Sequence, residues 1–178
     1  MSRDTRPPAD RRHPADGPIP FGVQTELMAL SVSIRDGVVV RIGLRERVAR
    51  PPRTALERRV ARELCEYACG RLREFSFPRA TSGSPFEERV WREVSRIPYG
   101  STVTYGAIAK RLGQPGAARA VGTANGRNPL PLVIPCHRVV AAGGGLGGYG
   151  GGLDLKRRLL TLEERVAGVR LGAESEGS

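Results

Sequence analysis

The strongest chemical signal in this sequence is a cysteine followed directly by a histidine, Cys136 and His137, after an apolar run at residues 132–134 and Pro135. A cysteine in an apolar run usually packs in a core. Here, however, Pro135 removes a main-chain donor, so regular strand pairing must stop beside the thiol. The adjacent imidazole and the basic surroundings favour a thiol with a lowered pKa. We therefore interpret Cys136 as a nucleophile carried on a strand.

Two kinds of thiol chemistry are open to such a cysteine. Acyl transfer of the protease type needs an imidazole hydrogen-bonded to the thiol, but successive side chains of a strand point to opposite faces. The other histidine, His13, lies near the start of the chain. Attack of a thiolate on a saturated carbon needs no such contact, and its thioether product resists water. The pattern therefore favours an irreversible, stoichiometric transfer over a protease.

The charge balance indicates the partner. The 178 residues include 29 lysines and arginines and 18 acids, a formal charge of +11, which predicts attraction to nucleic acid first and to an anionic membrane second. Residues 94–153 contain no acid at all, so phosphate contact is the sharper hypothesis and a solvated basic face the plainer one. The basic residues of this segment are Arg96, Lys110, Arg111, Arg119, Arg127 and Arg138.

Two short helices are predicted within the acid-free segment. Thr104 is placed to cap a helix that stops at Gly113, and Pro115 is placed to open the next. This spacing has the outline of a helix-turn-helix. The second helix is built from small residues, with Arg119 as its only long side chain, so it is thin enough to approach a groove closely.

A glycine-rich stretch and a leucine-rich helix follow. Residues 143–152 read GGGLGGYGGG, which lacks the lysine and hydroxyl residue of a phosphate-binding loop. This stretch is either a flexible linker or a ligand-facing loop with Tyr149 as a platform beside a planar group. In the last helix Leu155, Leu159 and Leu162 share one face, and Glu163 taken alone would be a surface acid.

The first half of the chain predicts a structural lobe. Strands at 27–33 and 38–44 flank Asp36 and Gly37, a pair typical of a tight hairpin turn. Thr54 and Glu57 form a capping box for a helix that we expect to run to about Leu72.

Two further features concern this lobe and its connection to the next. Cys65 and Cys69 lie one turn apart, and with so few other ligands we interpret them as small core residues rather than a metal site. Residues 75–83 are predicted to be a linker, after which Ser84, Pro85 and Glu87 start the next helix.

These elements divide the chain into an α/β protein of two lobes. We expect a disordered tail at 1–20, an N-terminal structural lobe at 21–80, a C-terminal DNA-binding and alkyl-acceptor lobe at 84–170, and a flexible tail at 171–178. With no long apolar stretch, we expect neither a membrane span nor a signal peptide. Three cysteines are too few for a disulfide scaffold, which favours a reducing compartment and hence the cytoplasm.

Several motifs together resemble one family. The sequence reads ARAVG at 118–122, NP at 128–129, IPCHRV at 134–139 and GYGGG at 148–152, in an order and spacing similar to the O6-alkylguanine-DNA alkyltransferases, or methylated-DNA–protein-cysteine methyltransferases. The likeness covers 84–164 closely. It implies a ribonuclease-H-like hairpin and helix lobe and a helical, winged-helix-like lobe with a helix-turn-helix. It implies no cofactor, and the zinc ligands of some relatives are missing here.

The resemblance also implies roles in chemistry. Cys136 matches the alkyl acceptor, and His137 would act as its base through a bridging water while Glu163 holds the ring. Tyr105 would donate a proton towards guanine N3, and Asn128 would order the turn near the site.

For recognition, the resemblance implies that the helix-turn-helix enters the minor groove of double-stranded DNA. Arg119 would fill the stack vacated by a flipped nucleotide, and Tyr149 and Gly150 would line the base pocket. Gly150 stands where some relatives have serine, which leaves a backbone donor but no hydroxyl. The remaining positions expected to contact substrate or DNA are Ala118, Arg127 and Val139.

The implied function is repair of O6-alkylguanine in DNA by irreversible transfer of the alkyl group to Cys136, with O4-alkylthymine as a further substrate left open. We expect a monomer, associated with the nucleoid or, in a eukaryote, the nucleus. Two alternatives remain: a lesion-marking protein that flips the base without transfer, and a winged-helix regulator that prefers one DNA sequence. Relatives of the first type lack the reactive cysteine.

Overall fold

A computed structural model describes residues 18–168. The expected tails at 1–20 and 171–178 lie outside the described residues, except for residues 18–20. The strands are β1 (Phe21–Gln24), β2 (Ala29–Arg35), β3 (Val38–Leu44), β4 (Val103–Thr104) and β5 (Val139–Val140), and the helices are α1 (Ala55–Ala68), α2 (Pro85–Ser95), α3 (Tyr105–Arg111), α4 (Ala118–Gly126) and α5 (Leu153–Ala167). The expected mixed α/β class is confirmed.

The first three strands form an antiparallel sheet with β2 in the centre. Asp36 and Gly37 both have positive φ, 49° and 77°, which is the geometry that closes a two-residue hairpin between twisted strands. The hairpin prediction is therefore confirmed, although β2 begins two residues later than expected. β1 pairs with β2 on the side away from β3. The sequence did not predict this strand, because four residues with one exposed glutamine carry little strand signal.

Helix α1 packs against β1 and begins at the predicted capping box, where the Thr54 hydroxyl accepts from the Glu57 N–H. It ends earlier than the predicted Leu72, because the chain turns at Gly70 with φ 75°. Cys65 and Cys69 are half-buried at its edge rather than in the core. The Cys65 thiol donates to the Gln24 carbonyl oxygen at 3.6 Å.

The segment predicted to be a linker instead extends the sheet. The Val39 N–H donates to the Pro78 carbonyl at 2.9 Å, and the Ala80 N–H donates back to the Val39 carbonyl at 3.0 Å. Phe77, which precedes Pro78, is 1% exposed. Pro78, which favoured a linker, lies in a strand-like edge, because proline is tolerated where its missing N–H faces away from the ladder.

Helices α2, α3 and α4 contact one another and form the framework of the second half. The predicted caps are confirmed: Ser84 and Glu87 form a capping box, and the Thr104 hydroxyl accepts from the Ala107 N–H. Helix α4 begins at Ala118 rather than at Pro115, and its first turn has no side-chain cap.

Cys136 does not lie on a strand, contrary to the prediction. Residues 136–138 form a single 3₁₀ turn that precedes β5. Pro131 and Pro135 supply no N–H for a ladder, and Leu132 adopts φ 75°, a strained conformation for a bulky side chain. Leu132 and Ile134 are buried nonetheless and Val133 partly so, which means that the apolar run indicated burial correctly and secondary structure wrongly.

Within residues 18–168, no helix is long and apolar enough to cross a membrane. The same residues contain no group of three or more histidine, cysteine or acidic side chains placed to hold a metal ion.

Candidate active site

A cavity of about 560 Å³ opens beside Cys136. Its walls are formed by α4, the turn that follows it, the start of α3, the glycine-rich loop and Leu44 at the end of β3. The residues that line it include three expected to act in the chemistry and three expected to bind the nucleotide, namely Tyr105, Asn128 and Cys136, and Arg119, Tyr149 and Gly150. The fold therefore brings together six of the sequence-derived positions around one space.

The Cys136 thiol lies at the base of this cavity and is 5% exposed. Burial raises the pKa of Cys136 to about 11, although a hydrogen bond from Asn128 and the positive charge of Lys156 oppose the rise. The expected lowering of this pKa is therefore wrong, because removing the thiolate from water outweighs the basic surroundings. A thiol with this pKa is protonated near neutral pH, so it needs a base to become a nucleophile.

Behind the thiol, a fully buried carboxylate organises the charged groups. Glu163 accepts from Arg138 through both carboxylate oxygens, at 2.8 Å each, and from the Gly100 N–H at 3.0 Å. It also accepts from His137 and from the hydroxyl of Tyr67. Burial alone would raise the pKa of Glu163, but the hydrogen bonds from His137 and Arg138 hold it far below its usual range.

The position of Glu163 depends on the packing of α5 in the core and on the close approach of Gly100 to that helix. Leu155, Leu159 and Leu162 anchor α5 in the core, as predicted, and this orientation turns Glu163 inward. Gly100 has φ 77°, and a Cβ there would lie 2.5 Å from the Cβ of Ala167. Only glycine therefore allows the main chain to approach α5 closely enough to donate to the carboxylate.

The donors around His137 define its tautomer. Nε2 lies 2.9 Å from Glu163 Oε1 and 3.2 Å from the Tyr67 hydroxyl oxygen. Since the Tyr67 hydroxyl donates its one proton to the same carboxylate oxygen, its oxygen can only accept from Nε2. We therefore assign the proton to Nε2, which leaves Nδ1 as the basic nitrogen.

The free nitrogen fits the role of a base. Nδ1 is buried and has no hydrogen-bond partner within the described part of the chain. Burial lowers the pKa of His137, against the opposing effect of Glu163, so the ring is neutral and can take up a proton.

Arg138 is an internal residue and not part of the basic face. It is 6% exposed, donates to the Ile97 carbonyl at 2.7 Å and lies over the Tyr99 ring at 5.4 Å. From the sequence, Arg138 could contact either phosphate or an internal partner. In the structure it forms an ion pair with Glu163.

Lys156 is the main functional residue that the sequence missed. It is wholly buried and donates to the Val139 carbonyl at 2.6 Å and to the Gly148 carbonyl at 3.4 Å. Burial lowers the pKa of Lys156 to about 8, while the charge of Cys136 raises it. In sequence it begins a run of three basic residues, which predicts a solvated surface, and only its place between Leu155 and Leu159 hints at the inner face.

Two asparagines hold the turn that carries the thiol. Asn128 donates to the Ile134 carbonyl at 2.7 Å and accepts from the Leu130 N–H at 2.9 Å, which agrees with its expected place in ordering this turn. Asn125 was missed: it is 5% exposed on α4 and donates to the Cys136 carbonyl at 3.2 Å. Its position one turn after Val121 on the buried face is the only sequence signal for it.

Aromatic side chains form one wall of the cavity. The Tyr105 hydroxyl donates weakly to the Gly148 carbonyl at 3.4 Å, and burial raises its pKa, so it remains protonated. Tyr149 is half-buried and meets the His137 ring edge-on at 6.4 Å. Gly150 beside it is exposed, with its backbone at the rim.

The remaining predicted residues lie at different depths. Arg119 projects from α4 into the cavity mouth, and its guanidinium has no hydrogen-bond or ion-pair partner among residues 18–168. Arg127 ends α4 and forms an exposed ion pair with Glu87 at 3.0 Å. Ala118 is half-buried at the start of α4, and Val139 is wholly buried in β5 and does not line the cavity.

Comparisons with known proteins agree with this geometry. The family model described as 6-O-methylguanine DNA methyltransferase, DNA binding domain, matches residues 85–165. The methylated-DNA–protein-cysteine methyltransferase of Mycolicibacterium paratuberculosis is 44% identical over 149 residues, or 80% of this chain and 90% of that protein.

Solved structures give the same result. Mycobacterium tuberculosis OGT in complex with DNA superposes with a TM-score of 0.75 at 38% identity, covering 83% of this chain and 93% of the other. An O6-methylguanine DNA methyltransferase from Methanococcus jannaschii has a TM-score of 0.60 at 28% identity, covering 89% of this chain and 99% of the other. The chain belongs to the family of methylated-DNA–protein-cysteine methyltransferases, which confirms the resemblance and the class of enzyme expected from it.

Proposed function

We propose that this protein repairs DNA by transferring the alkyl group of O6-alkylguanine to the sulfur of Cys136, and that each molecule acts once. The observation that carries the proposal is the buried thiol at the base of a cavity of about 560 Å³, with a neutral imidazole fixed beside it by a buried carboxylate. Family membership supports the same reaction.

The first step activates the thiol. With its pKa raised to about 11, Cys136 reacts only if its proton leaves as the sulfur attacks. His137 Nδ1 takes that proton through a bridging water, and Glu163 stabilises the resulting imidazolium. Lys156 supports the thiolate that forms, because a cation within a low-dielectric site favours a nearby anion.

The second step moves the carbon. The sulfur attacks the alkyl carbon, the new S–C bond forms as the bond from that carbon to guanine O6 breaks, and the electron pair passes into the purine ring. Tyr105 donates its hydroxyl proton towards N3 of this leaving group. The proton lost by the thiol then replaces the one that Tyr105 gave up, so guanine gains one proton in all and the net products are S-alkylcysteine and guanine.

The substrate reaches the cavity as a flipped nucleotide. A guanine inside a duplex cannot meet a thiol that is 5% exposed, so the nucleotide must rotate out of the stack. We place α4 in the minor groove with Arg119 in the vacated stack, and Tyr149 and the Gly150 backbone against the flipped base. Ala118 permits close approach, Arg127 meets phosphate, and Val139 supports the pocket from within.

DNA binding relies on fewer cations than the sequence count suggests. Arg138 is committed to Glu163, and Arg96 pairs with Glu93 beside α2. The cations on or beside the two short helices are Lys110, Arg111, Arg119 and Arg127, and of these Arg127 must exchange its exposed ion pair with Glu87 for phosphate. The crystallised relative in complex with DNA supports DNA as the partner.

The wider assignment follows from this function. We retain two lobes, 21–80 and 84–170, the first supporting the second, and a monomer that acts in the cytoplasm on the nucleoid. The ribonuclease-H-like and winged-helix likenesses remain predictions for the two lobes, as does activity on O4-alkylthymine.

Incubation with duplex DNA bearing O6-methylguanine labelled in its methyl group tests the proposal. We expect the label on the peptide that contains Cys136 and none on that peptide in the Cys136→Ser variant. The Cys65→Ser and Cys69→Ser variants are matched controls and should accept the label as the parent does. Tight binding of the lesion by folded, reduced protein without transfer would instead support a lesion-marking protein.

A further inference from the structure

A tyrosine from the first lobe reaches the acid–base pair of the second. Tyr67 lies on α1, is wholly buried, and donates its hydroxyl proton to Glu163 Oε1 while its oxygen lies 3.2 Å from His137 Nε2. Burial and the charge of Glu163 raise the pKa of Tyr67 well above its usual value, so the hydroxyl keeps the proton that it donates. Nothing in the sequence connects this residue with Cys136, which follows it by 69 positions.

The ring of Tyr67 is held independently of its hydroxyl. It packs on Phe75 with ring centroids 5.2 Å apart and meets Tyr99 edge-on at 6.1 Å. Aromatic packing alone would be satisfied by phenylalanine at this position. The hydroxyl must therefore be explained by its contacts with Glu163 and His137.

The charges that face His137 act in opposite directions. Burial, Arg138 and Lys156 disfavour the imidazolium, and only Glu163 favours it. The strength of Glu163 as a negative neighbour therefore decides how easily the ring becomes charged. The titratable and charged groups packed around this pair are Tyr67 from α1, Tyr99 after α2, Cys136 and Arg138 in the 3₁₀ turn, Tyr149 in the glycine-rich loop, and Lys156 on α5.

The two contacts of the Tyr67 hydroxyl differ in strength. An O–H donated to a carboxylate is a charge-assisted bond, whereas an N–H shared over 3.2 Å with a neutral oxygen is weak. Loss of the hydroxyl would therefore leave Glu163 with one donor fewer and a less compensated charge. The carboxylate would then hold the imidazolium more firmly, and His137 would be a poorer base at low pH.

We propose that Tyr67 is a positioning residue of the transfer reaction: its hydroxyl partly neutralises Glu163 and fixes the Nε2–H form of His137, so that Nδ1 stays free to accept the thiol proton. This inference rests on the proposed function. It also gives the first lobe a part in the chemistry, since that lobe supplies the hydroxyl.

The test measures the single-turnover transfer rate of Tyr67→Phe at saturating lesion-bearing duplex across pH. Because the variant raises the pKa of His137, we expect a rate about fivefold below the parent near pH 6 and within about twofold near pH 9. Affinity for the duplex should not change. Tyr99→Phe is the matched control, since its hydroxyl is buried without a hydrogen-bond partner in the described residues, and it should follow the parent at every pH.

A defect of packing would look different. It would lower the rate of Tyr67→Phe by the same factor at all pH values, and that result would overturn the inference while leaving the proposed function intact. No transfer by the parent protein would instead contradict the proposed function itself.

A second measurement keeps the inference testable if Tyr67→Phe does not fold. Nitrogen-15 NMR of the parent reports which imidazole nitrogen carries the proton, and a His13→Ala variant assigns the signals because the chain has two histidines. We expect the proton of His137 on Nε2. A proton on Nδ1 would overturn the inference.

Discussion

The groups on the two sides of Cys136 differ in burial and in hydrogen bonding. Behind the thiol, Glu163, His137 and Arg138 are each at most 6% exposed. His137 and Arg138 are both hydrogen-bonded to the Glu163 carboxylate. In front of it, Arg119 is exposed, and every residue of the glycine-rich loop except Gly151 is exposed or half-buried. A catalytic base needs a fixed orientation and a pKa suited to accepting a proton. A surface that binds a large ligand instead leaves polar groups unpaired until the ligand is bound. Removing a group from the buried side should therefore cost stability and rate, and changing the open side should alter recognition.

The largest effect is expected from Glu163→Gln. The substitution leaves the buried guanidinium of Arg138 without its counter-charge, which destabilises folded proteins by about 3–5 kcal/mol. Urea unfolding measures the change. Asp154→Asn removes an exposed partner of Arg45, 70% accessible, and should change stability by less than about 0.5 kcal/mol. Equal effects of the two substitutions would contradict the distinction between the buried and open sides.

The same carboxylate sets a pH dependence. The pKa of Glu163 is lower in the folded protein than in the unfolded chain, so its contribution to stability is complete above the unfolded value of about 4.3 and is lost as pH falls. The lowered pKa of His137 acts in the same direction below about pH 6.5. We expect the Glu163 part of this loss below about pH 4.3, and we expect Glu163→Gln to lack it. Parallel curves for the two proteins would count against a buried, ionised Glu163.

Lys156→Met should have the next largest effect, on the reaction rate. The variant keeps the length of the side chain but removes the charge that opposes the raised pKa of Cys136, so transfer should slow by about tenfold at saturating DNA. Arg157→Met removes an exposed charge from the same helix and is the control. A transfer rate for Lys156→Met equal to the parent's would show that the buried cation has no part in the chemistry.

Arg119→Ala should separate recognition from chemistry. Without a side chain to fill the stack, transfer from duplex DNA should fall about tenfold, since an unstacked hole costs a few kcal/mol. Transfer from a single-stranded oligonucleotide carrying the same lesion should change little, because no stack is vacated. An equal loss on both substrates would place Arg119 in the chemistry instead.

The smallest effect concerns the wall of the cavity. Gly147 has φ 67°, and a Cβ there would lie 2.8 Å from the Tyr105 ring, so Gly147→Ala should destabilise the protein by about 1 kcal/mol and move that ring. Gly148→Ala is the matched control, since nothing lies within 4 Å of its Cβ position. Thermal unfolding of the two variants, compared with the parent, checks the difference. Identical melting curves would mean that the loop is free to move away from Tyr105.

The sequence was most informative where structure depends on neighbouring residues. The capping boxes at Thr54 and Ser84, the hairpin turn at Asp36 and the inner face of α5 all follow from contacts within a few positions. The same applies to the grouping of Cys136 and His137, which are adjacent in the chain.

Predictions failed where a residue's environment comes from distant parts of the chain. Lys156 is buried only because β5 and the glycine-rich loop cover it, and its ammonium donates to a carbonyl of each. Tyr67 meets Glu163 across 96 positions, and the pKa of Cys136 rises because the whole fold excludes water from it. Local charge counting therefore gave the wrong direction for the thiol pKa and did not identify the buried lysine.

The central claim is tested most directly by the stoichiometry of transfer. Intact-protein mass spectrometry after incubation with excess duplex carrying O6-methylguanine should show one added methyl group per molecule, on Cys136, with a matching amount of restored guanine in the DNA. The amount transferred should stop at that value however long the incubation. Repeated turnover, or a methyl group on Cys65 or Cys69 while Cys136 stays unmodified, would contradict the account.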